Sequence, residues 1–175
     1  ANWTWNLGNG YNSHDQNLTY SYSIYGYYNV TLNVTDDSNL SGIISKNISI
    51  NDPPKANFGL SPLSPKTENN IKFSDSTVDN FGQLNNWSWD FGDGNSSYQK
   101  NPSHNYSDDG TYLVILNVSD EYFASDSIQK EIEIKNTPPY VSFNNYPENP
   151  TDLDNIHFND NSNDFDGYIV NWTWN

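Results

Sequence analysis

The chain has 175 residues, 34% hydrophobic and 15% aromatic, with 7 basic against 22 acidic side chains and a formal charge of −15. That charge repels phosphate backbones and anionic surfaces, so no nucleic-acid partner is expected. The lack of cysteine excludes disulfides and cysteine-held zinc, and no apolar run approaches the roughly 18 residues of a membrane helix, so no membrane insertion is expected within this segment.

The chain opens on Asn2-Trp3-Thr4-Trp5-Asn6-Leu7-Gly8-Asn9-Gly10, large apolar residues alternating with polar ones up to a glycine-rich break. Nothing there has the charged and apolar regions of a secretion signal, so any such signal or anchor is expected outside this segment. The same string recurs, stronger, as Trp87-Ser88-Trp89-Asp90-Phe91-Gly92-Asp93-Gly94, and its opening recurs as Trp172-Thr173-Trp174-Asn175. A period of two puts Trp87, Trp89 and Phe91 on one face of a strand, and the Gly-Asp-Gly exit predicts a tight turn. Laid on itself, the sequence matches without a gap at an offset of 84, Trp5 falling on Trp89, Gly26 on Gly110 and Tyr28 on Tyr112. Thr137 then adds one residue, and Phe58 falls on Phe143, Phe73 on Phe158 and Trp87 on Trp172 at an offset of 85. A period of this length predicts an array of small domains. The pairs Pro53-Pro54 and Pro138-Pro139 stiffen the joints and set the expected boundaries. Residues 1–52 then form the back half of one domain, 53–137 a complete domain, and 138–175 the front half of a third.

Within the complete domain, Ala56–Phe58 and Ile71–Ser74 are expected as short strands, followed by the aromatic strand Asn86–Phe91. The strongest alternation, Gly110–Val118, comes next, and Ser127–Ile134 closes the unit. No stretch has helical periodicity, and about seven short strands with turns between them predict an all-β, two-sheet antiparallel sandwich. Tyr112, two residues before Val114 on a strand entering from Gly110, suits either a tyrosine corner, its hydroxyl bonding backbone upstream, or a plain core tyrosine; Tyr28 matches it.

Trp-x-Trp-Asp-Phe-Gly-Asp-Gly at 87–94, followed by Gly-x-Tyr-x-Val-x-Leu-x-Val at 110–118, resembles the PKD domain, the family named from the polycystic kidney disease protein. The resemblance implies an immunoglobulin-like β-sandwich in tandem repeats of about 85 residues, found in surface layers, adhesion proteins and accessory modules of secreted hydrolases. The wealth of Asn and of glycosylation signals also resembles surface proteins of methanogenic archaea. The first string departs from the motif at Asn6, Leu7 and Asn9, which favours a turn-forming role for Asp90 and Asp93 over a ligand-binding one.

Asp90 and Asp93 are paired acids beside aromatics, as in glycosidase sites, but three positions apart on a strand and its turn they face different ways. His14, His104 and His157 lie at unmatched repeat positions, and no catalytic grouping is evident, so no catalytic residue is assigned. The acidic loop Asp160-Asn161-Ser162-Asn163-Asp164-Phe165-Asp166-Gly167 offers Asp160, Ser162, Asp164 and Asp166 as oxygen donors for calcium, the one cofactor considered; a solvated turn is the other reading.

Asn-x-Ser/Thr occurs eleven times, at Asn2, Asn17, Asn29, Asn33, Asn39, Asn47, Asn86, Asn95, Asn105, Asn117 and Asn171. Chance would give roughly five, and alternation turns Asn29, Asn33 and Asn117 outward from their strands. N-linked glycans and an extracellular, cell-surface location follow as expectations. The half-domains lead to a second partner, the chain itself, joined head to tail or continued in a longer array, as a filament, stalk or surface layer. The alternative is a carbohydrate-binding or adhesion module, with Tyr11, Tyr20, Tyr22, Tyr25, Tyr27 and Tyr98 as contact candidates.

Overall fold

The computed structural model of the chain describes residues 2–174. Asn175, the last residue of the third Trp-Thr-Trp string, lies outside the described residues. Regular structure among the described residues is all β: β1 (Asn2–Asn6), β2 (Asn12–Ser13), β3 (Gly26–Thr35), β4 (Ser41–Ile50), β5 (Phe58–Ser61), β6 (Ile71–Asp75), β7 (Leu84–Asp90), β8 (Ser96–Ser97), β9 (Ser103–His104), β10 (Gly110–Asp120), β11 (Ser125–Ile134), β12 (Phe143–Tyr146) and β13 (His157–Asp160). Seven of these, β5 to β11, fall between the two Pro-Pro pairs. The first expected strand is displaced: it starts at Phe58 and runs to Ser61, where Pro62, with no N–H to give, ends it.

Contacts divide the chain into two compact units. The first combines Ala1–Lys55 with Thr77–Asn86 and Val118–Asp126; the second combines Ala56–Ser76, Trp87–Asn117 and Ser127–Asn175. In the first, an antiparallel sheet runs β2-β1-β3-β4, with Trp5 opposite Leu32 and Tyr28 opposite Ile48. Residues 77–86 and 118–126 belong here because Phe81 packs against Tyr27, with centroids 5.1 Å apart, and Tyr122 packs against Phe81 at 5.5 Å.

The strand order β11-β10-β7-β8 repeats that of β4-β3-β1-β2, strand for strand at the 84-residue offset. A three-stranded sheet, β5-β6-β9, supplies the opposing layer. Between the layers lies a core of few, large rings. Trp89, fully buried, sits 5.1 Å from Phe58 and 5.7 Å from Phe73, and Phe73 is 5.2 Å from Phe91. Val114, Leu116, Val118, Ile132 and Ile134, the inward positions of β10 and β11, close it. This is the two-sheet antiparallel sandwich that the alternation predicts, in the immunoglobulin-like form that the resemblance implies. Trp87, expected on the same face, stays at the rim, its indole N–H on Asp75 at 3.0 Å and Lys100 over its ring. In the second unit β12 and β13 form a lone antiparallel pair, Phe143 opposite Asp160.

Candidate functional site

The Asp-Phe-Gly-Asp-Gly string is a pair of side-chain-closed turns. Asp90 accepts from the Gly92 N–H at 2.9 Å and Asp93 from the Asn95 N–H at 3.0 Å. In the first repeat Asn6 and Asn9 do the same for Gly8 and Tyr11, at 2.8 and 3.1 Å. A carboxamide oxygen accepts as a carboxylate oxygen does, so the turn survives the loss of both charges. These acids are turn formers in both geometry and replacement pattern.

Behind the turn stands a ladder of four rings. Phe91 stacks on His104 at 4.2 Å, His104 meets Tyr106 edge-on at 4.7 Å, and Tyr106 lies 4.1 Å from Tyr112. The Tyr106 hydroxyl donates to the Phe91 carbonyl and the Tyr112 hydroxyl to the Asp108 carbonyl, four residues upstream. Tyr112 is therefore a tyrosine corner, and Tyr28 makes the same bond to Ile24. Tyr20, Tyr22 and Tyr28 rebuild the ladder in the first repeat, with Tyr22 donating to the Leu7 carbonyl. Burial pushes the Tyr106 hydroxyl well above its ordinary pKa, so it remains a donor across the working range.

The ladder corrects the reading of His104 as unmatched. It occupies the place of Tyr20, and its Nε2 meets Asp93 at 2.7 Å where Asn9 meets the Tyr20 hydroxyl at 2.9 Å. Aligning for rings and their polar caps, rather than identities, could have found it. Burial pushes the Asp93 carboxyl up, but the Asn95 amide and N–H and the His104 ring outweigh that and hold it below its ordinary value. A lowered carboxylate adds stability in full above the unfolded value, about pH 3.9, and loses it as pH falls through the lower folded value. Asp93→Asn keeps the turn, as Asn9 demonstrates, but gives up the stabilisation of the carboxylate. The expected result is a less stable variant near neutrality whose gap to the parent closes on acidification below about pH 4, read as urea midpoints against pH. A constant gap down to full protonation would contradict it.

Of the six tyrosines proposed as ligand contacts, Tyr20 and Tyr22 serve the ladder, while Tyr25 and Tyr27 pack on Phe81. The Tyr27 hydroxyl meets that of Tyr122 at 3.2 Å, a bond that pushes Tyr122 up to about 12. Beside this cluster the buried Asp120 carboxylate takes the Tyr122 and Ala124 N–H groups and the Asn51 amide. Tyr11 packs on Tyr20 with ring centroids 4.7 Å apart, Tyr27 keeps 72% of its surface exposed, and Tyr98 is 76% exposed.

The four oxygen donors proposed for calcium do not converge. Asp160 accepts from the Ser162 N–H and the Trp172 indole, and the Ser162 hydroxyl donates to the Ser142 carbonyl. Asp164 and Asp166 are held together: Thr67 and the Thr137 N–H donate to Asp166, and Oδ1 of each acid is buried without a partner. The Thr67 and Thr137 bonds hold the Asp166 carboxyl down, while burial and Asp166 itself push Asp164 up. Among the described residues no group of three or more acidic, His or Cys side chains is arranged around a metal position. Of the eleven glycosylation signals, ten Asn are exposed; Asn33 is half-buried, its Oδ1 enclosed without a partner. An open hollow of about 630 Å³ lies on the apolar side of β12 and β13, lined by Val141, Phe143, Phe158, Trp172 and Trp174.

Fold and turn geometry define an immunoglobulin-like sandwich repeated along the chain. The PKD domain family model matches residues 1–50 and again 51–135, and the chain belongs to that family. Among proteins of known name, the chain is 36% identical over 78 residues to collagenase ColA of Bacillus cereus, 44% of this chain and 8% of that protein. It is 31% identical over 148 residues to the pre-pro-metalloprotease PrtV of Vibrio cholerae, 77% of this chain and 14% of that one. The chain thus spans no more than a small fraction of these relatives. Among solved structures it is similar to the PKD1 domain of Vibrio anguillarum Epp, 31% identical with a TM-score of 0.44, covering 49% of this chain and 98% of that domain. The PKD1 domain of Vibrio cholerae PrtV gives 28% and 0.43, covering 48% of this chain and 99% of that domain. No helix among the described residues is long and apolar enough to cross a membrane.

Proposed function

We propose that this segment is a non-enzymatic, extracellular structural array of PKD domains, N-glycosylated and stacked head to tail in a filament, stalk or surface layer. One observation carries the reading: between repeats the turn bonds, ring ladder and tyrosine corner are kept while every acid of the motif is exchanged for Asn. What recurs is scaffold, and a scaffold repeated in tandem is a spacer. The collagenase and metalloprotease relatives put the family beside enzymes that act outside the cell, and the exposed Asn-x-Ser/Thr sites suit the same compartment. Glycopeptide mapping of native material with electron microscopy tests this: glycan on several of the exposed Asn residues and a periodic fibre are expected. Unmodified sites on a dispersed protein would overturn it.

A second reading is favoured by Tyr98, 76% exposed on the loop between β8 and β9. Aromatic faces of this kind stack on sugar rings, which makes the segment a carbohydrate-binding or adhesion module. Retention on insoluble polysaccharide, lost in Tyr98→Ala, would support it; passage through unretarded would remove it.

Calcium belongs to the proposal in narrowed form, held by the partnerless oxygens of Asp164 and Asp166 with main-chain oxygens completing the shell. Binding only to the folded state stabilises by about 2.7 kcal/mol at a hundredfold excess over Kd. The melting temperature is expected to rise with added calcium and to lose that response in Asp164→Asn; indifference of the parent to calcium and chelator would end the idea.

A further inference from the structure

The outer face of the sheet β2-β1-β3-β4 carries no charge. Register places alternate residues from Asn2 to Asn6 of β1, from Tyr27 to Thr35 of β3 and from Ser41 to Ser49 of β4 on the side away from Trp5 and Leu32, and every one of these side chains is neutral. In a chain of formal charge −15 the exclusion is local, since residues 1–50 hold three of the 22 acids, Asp15, Asp36 and Asp37. The second repeat shows what such a face otherwise carries: at the 84-residue offset Asn6, Asn47 and Ser49 stand where it has Asp90, Glu131 and Glu133. Where acids are missing, glycan acceptors are dense. Residues 1–50 carry six of the eleven, and Asn2, Asn29, Asn33 and Asn47 share this one face. A flat exposed sheet needs charge or bulk to stay apart from others, and attached sugar supplies the bulk.

The folded sheet holds these acceptors away from a transferase. Strand β3 is hydrogen-bonded on both sides, to β1 and to β4. The hydroxyls two residues beyond three of the acceptors are engaged as well: Thr31 with Ser45 at 2.8 Å, Thr35 with Ser41 at 2.7 Å and Thr4 with His14 at 3.3 Å. An enzyme that reads Asn-x-Ser/Thr needs the segment free of such partners, and opening a central strand costs up to the whole stability of its unit. Asn39, in the turn between β3 and β4 with φ 61, and Asn105, in the loop after β9, are exposed outside any strand.

We infer that the outer face of this sheet is a glycan-bearing face, modified at Asn2, Asn29 and Asn47 on the unfolded chain, before β1, β3 and β4 pair. The inference rests on the glycosylation reading and adds the face, the residues and the order of events. The reaction is a displacement at the anomeric carbon of a sugar held on a lipid-linked phosphate donor. Asn Nδ2 forms the new C–N bond, the bond from that carbon to the phosphate oxygen breaks, the phosphate leaves with the electron pair, and one Nδ2 proton goes to a base of the transferase. Asn29 lies beyond the last β1 pairing, Asn6 opposite Thr31, and so has room for the sugar. Asn33 lies between Thr4 and Ile43 with its Oδ1 enclosed, so a chain modified there does not close the sheet and is lost from the folded population.

Glycopeptide mapping of the native protein is expected to find sugar on Asn2, Asn29 and Asn47 and a bare Asn33. The order of events is tested on the whole chain made without glycan and given to a purified oligosaccharyltransferase specific for Asn-x-Ser/Thr, with a lipid diphosphate-linked oligosaccharide as donor. Folded, the chain is expected to take sugar on Asn39 and Asn105 at least about tenfold faster than on Asn29 and Asn47. Leu32→Asp, which breaks the sheet from its inner side, is expected to raise the rate at Asn29 and Asn47 by about tenfold or more and to leave Asn105, in the second repeat, unchanged. Native protein with sugar only outside the strands, an Asn33 occupied as fully as Asn29, or a folded parent modified at Asn29 as fast as at Asn39 would overturn the inference and leave the glycosylated scaffold standing. Absence of sugar from every acceptor would sink that reading as well.

Discussion

Trp89→Ala is expected to lower the stability of the complete sandwich by about 4 kcal/mol, the upper range for deleting a buried ring. The residue is fully buried and touches Phe58 and Phe73, while its indole N–H donates to the Gln99 carbonyl at 2.9 Å. Truncation therefore opens a cavity at the meeting point of both sheets and removes the bond to the Gln99 carbonyl. Against a total stability of about 5–15 kcal/mol for a domain, the loss is large. The repeat supplies the control: Trp174→Ala, at the same place in the motif but 56% exposed, is expected to cost under about 1 kcal/mol of monomer stability. Urea unfolding followed by far-ultraviolet circular dichroism separates the two. Similar midpoints for both variants would mean that Trp89 is not the keystone its contacts make it.

That contrast also measures what the sequence could convey. Alternation at 87–91 and 110–118 identified the strands, and the 84-residue register located the repeats, because both are local or near-local properties of a chain with period two. The tyrosine corner was legible too, since it requires one tyrosine at one step from a strand entry, and Tyr112 and Tyr28 both meet it. The ladder was not. Its members are spaced irregularly, at 91, 104, 106 and 112, and it admits Phe, His or Tyr at a rung provided the ring is flat and a polar cap is near. Matching letter by letter sees His104 and Tyr20 as unlike, whereas packing sees two rings. The acidic loop was legible only in its composition. Residue types at alternating positions suggested convergence, but backbone N–H groups and Trp172 claimed Asp160, leaving Asp164 and Asp166. Which donors a carboxylate finds depends on partners distant in sequence, Thr67 and Thr137 among them, and no spacing rule reports those.

Gly92→Ala is the second large effect expected, at about 3 kcal/mol, and it tests why the motif holds its glycines. Gly92 has φ +79, and a Cβ added there would stand 2.7 Å from the Leu113 carbonyl oxygen and 3.0 Å from its nitrogen. Both atoms belong to β10, which the Val114 and Leu116 side chains anchor in the core, so the strand cannot retreat without opening that core. The turn must move instead, and with it the Phe91 carbonyl that holds Tyr106. Gly94, at φ +89, faces open space, so Gly94→Ala pays only the left-handed backbone penalty of about 1 kcal/mol. Gly8 repeats the close approach, 3.0 Å from the main chain of Asn29, where β3 takes the part of β10. Three substitutions thus rank as Gly92→Ala, then Gly8→Ala, then Gly94→Ala in loss of stability, measured as thermal midpoints of the whole chain. Equal losses at 92 and 94 would reduce the motif to a turn preference. A graded series makes it a packing contact, in which the turn is pressed against the strand that carries the tyrosine corner.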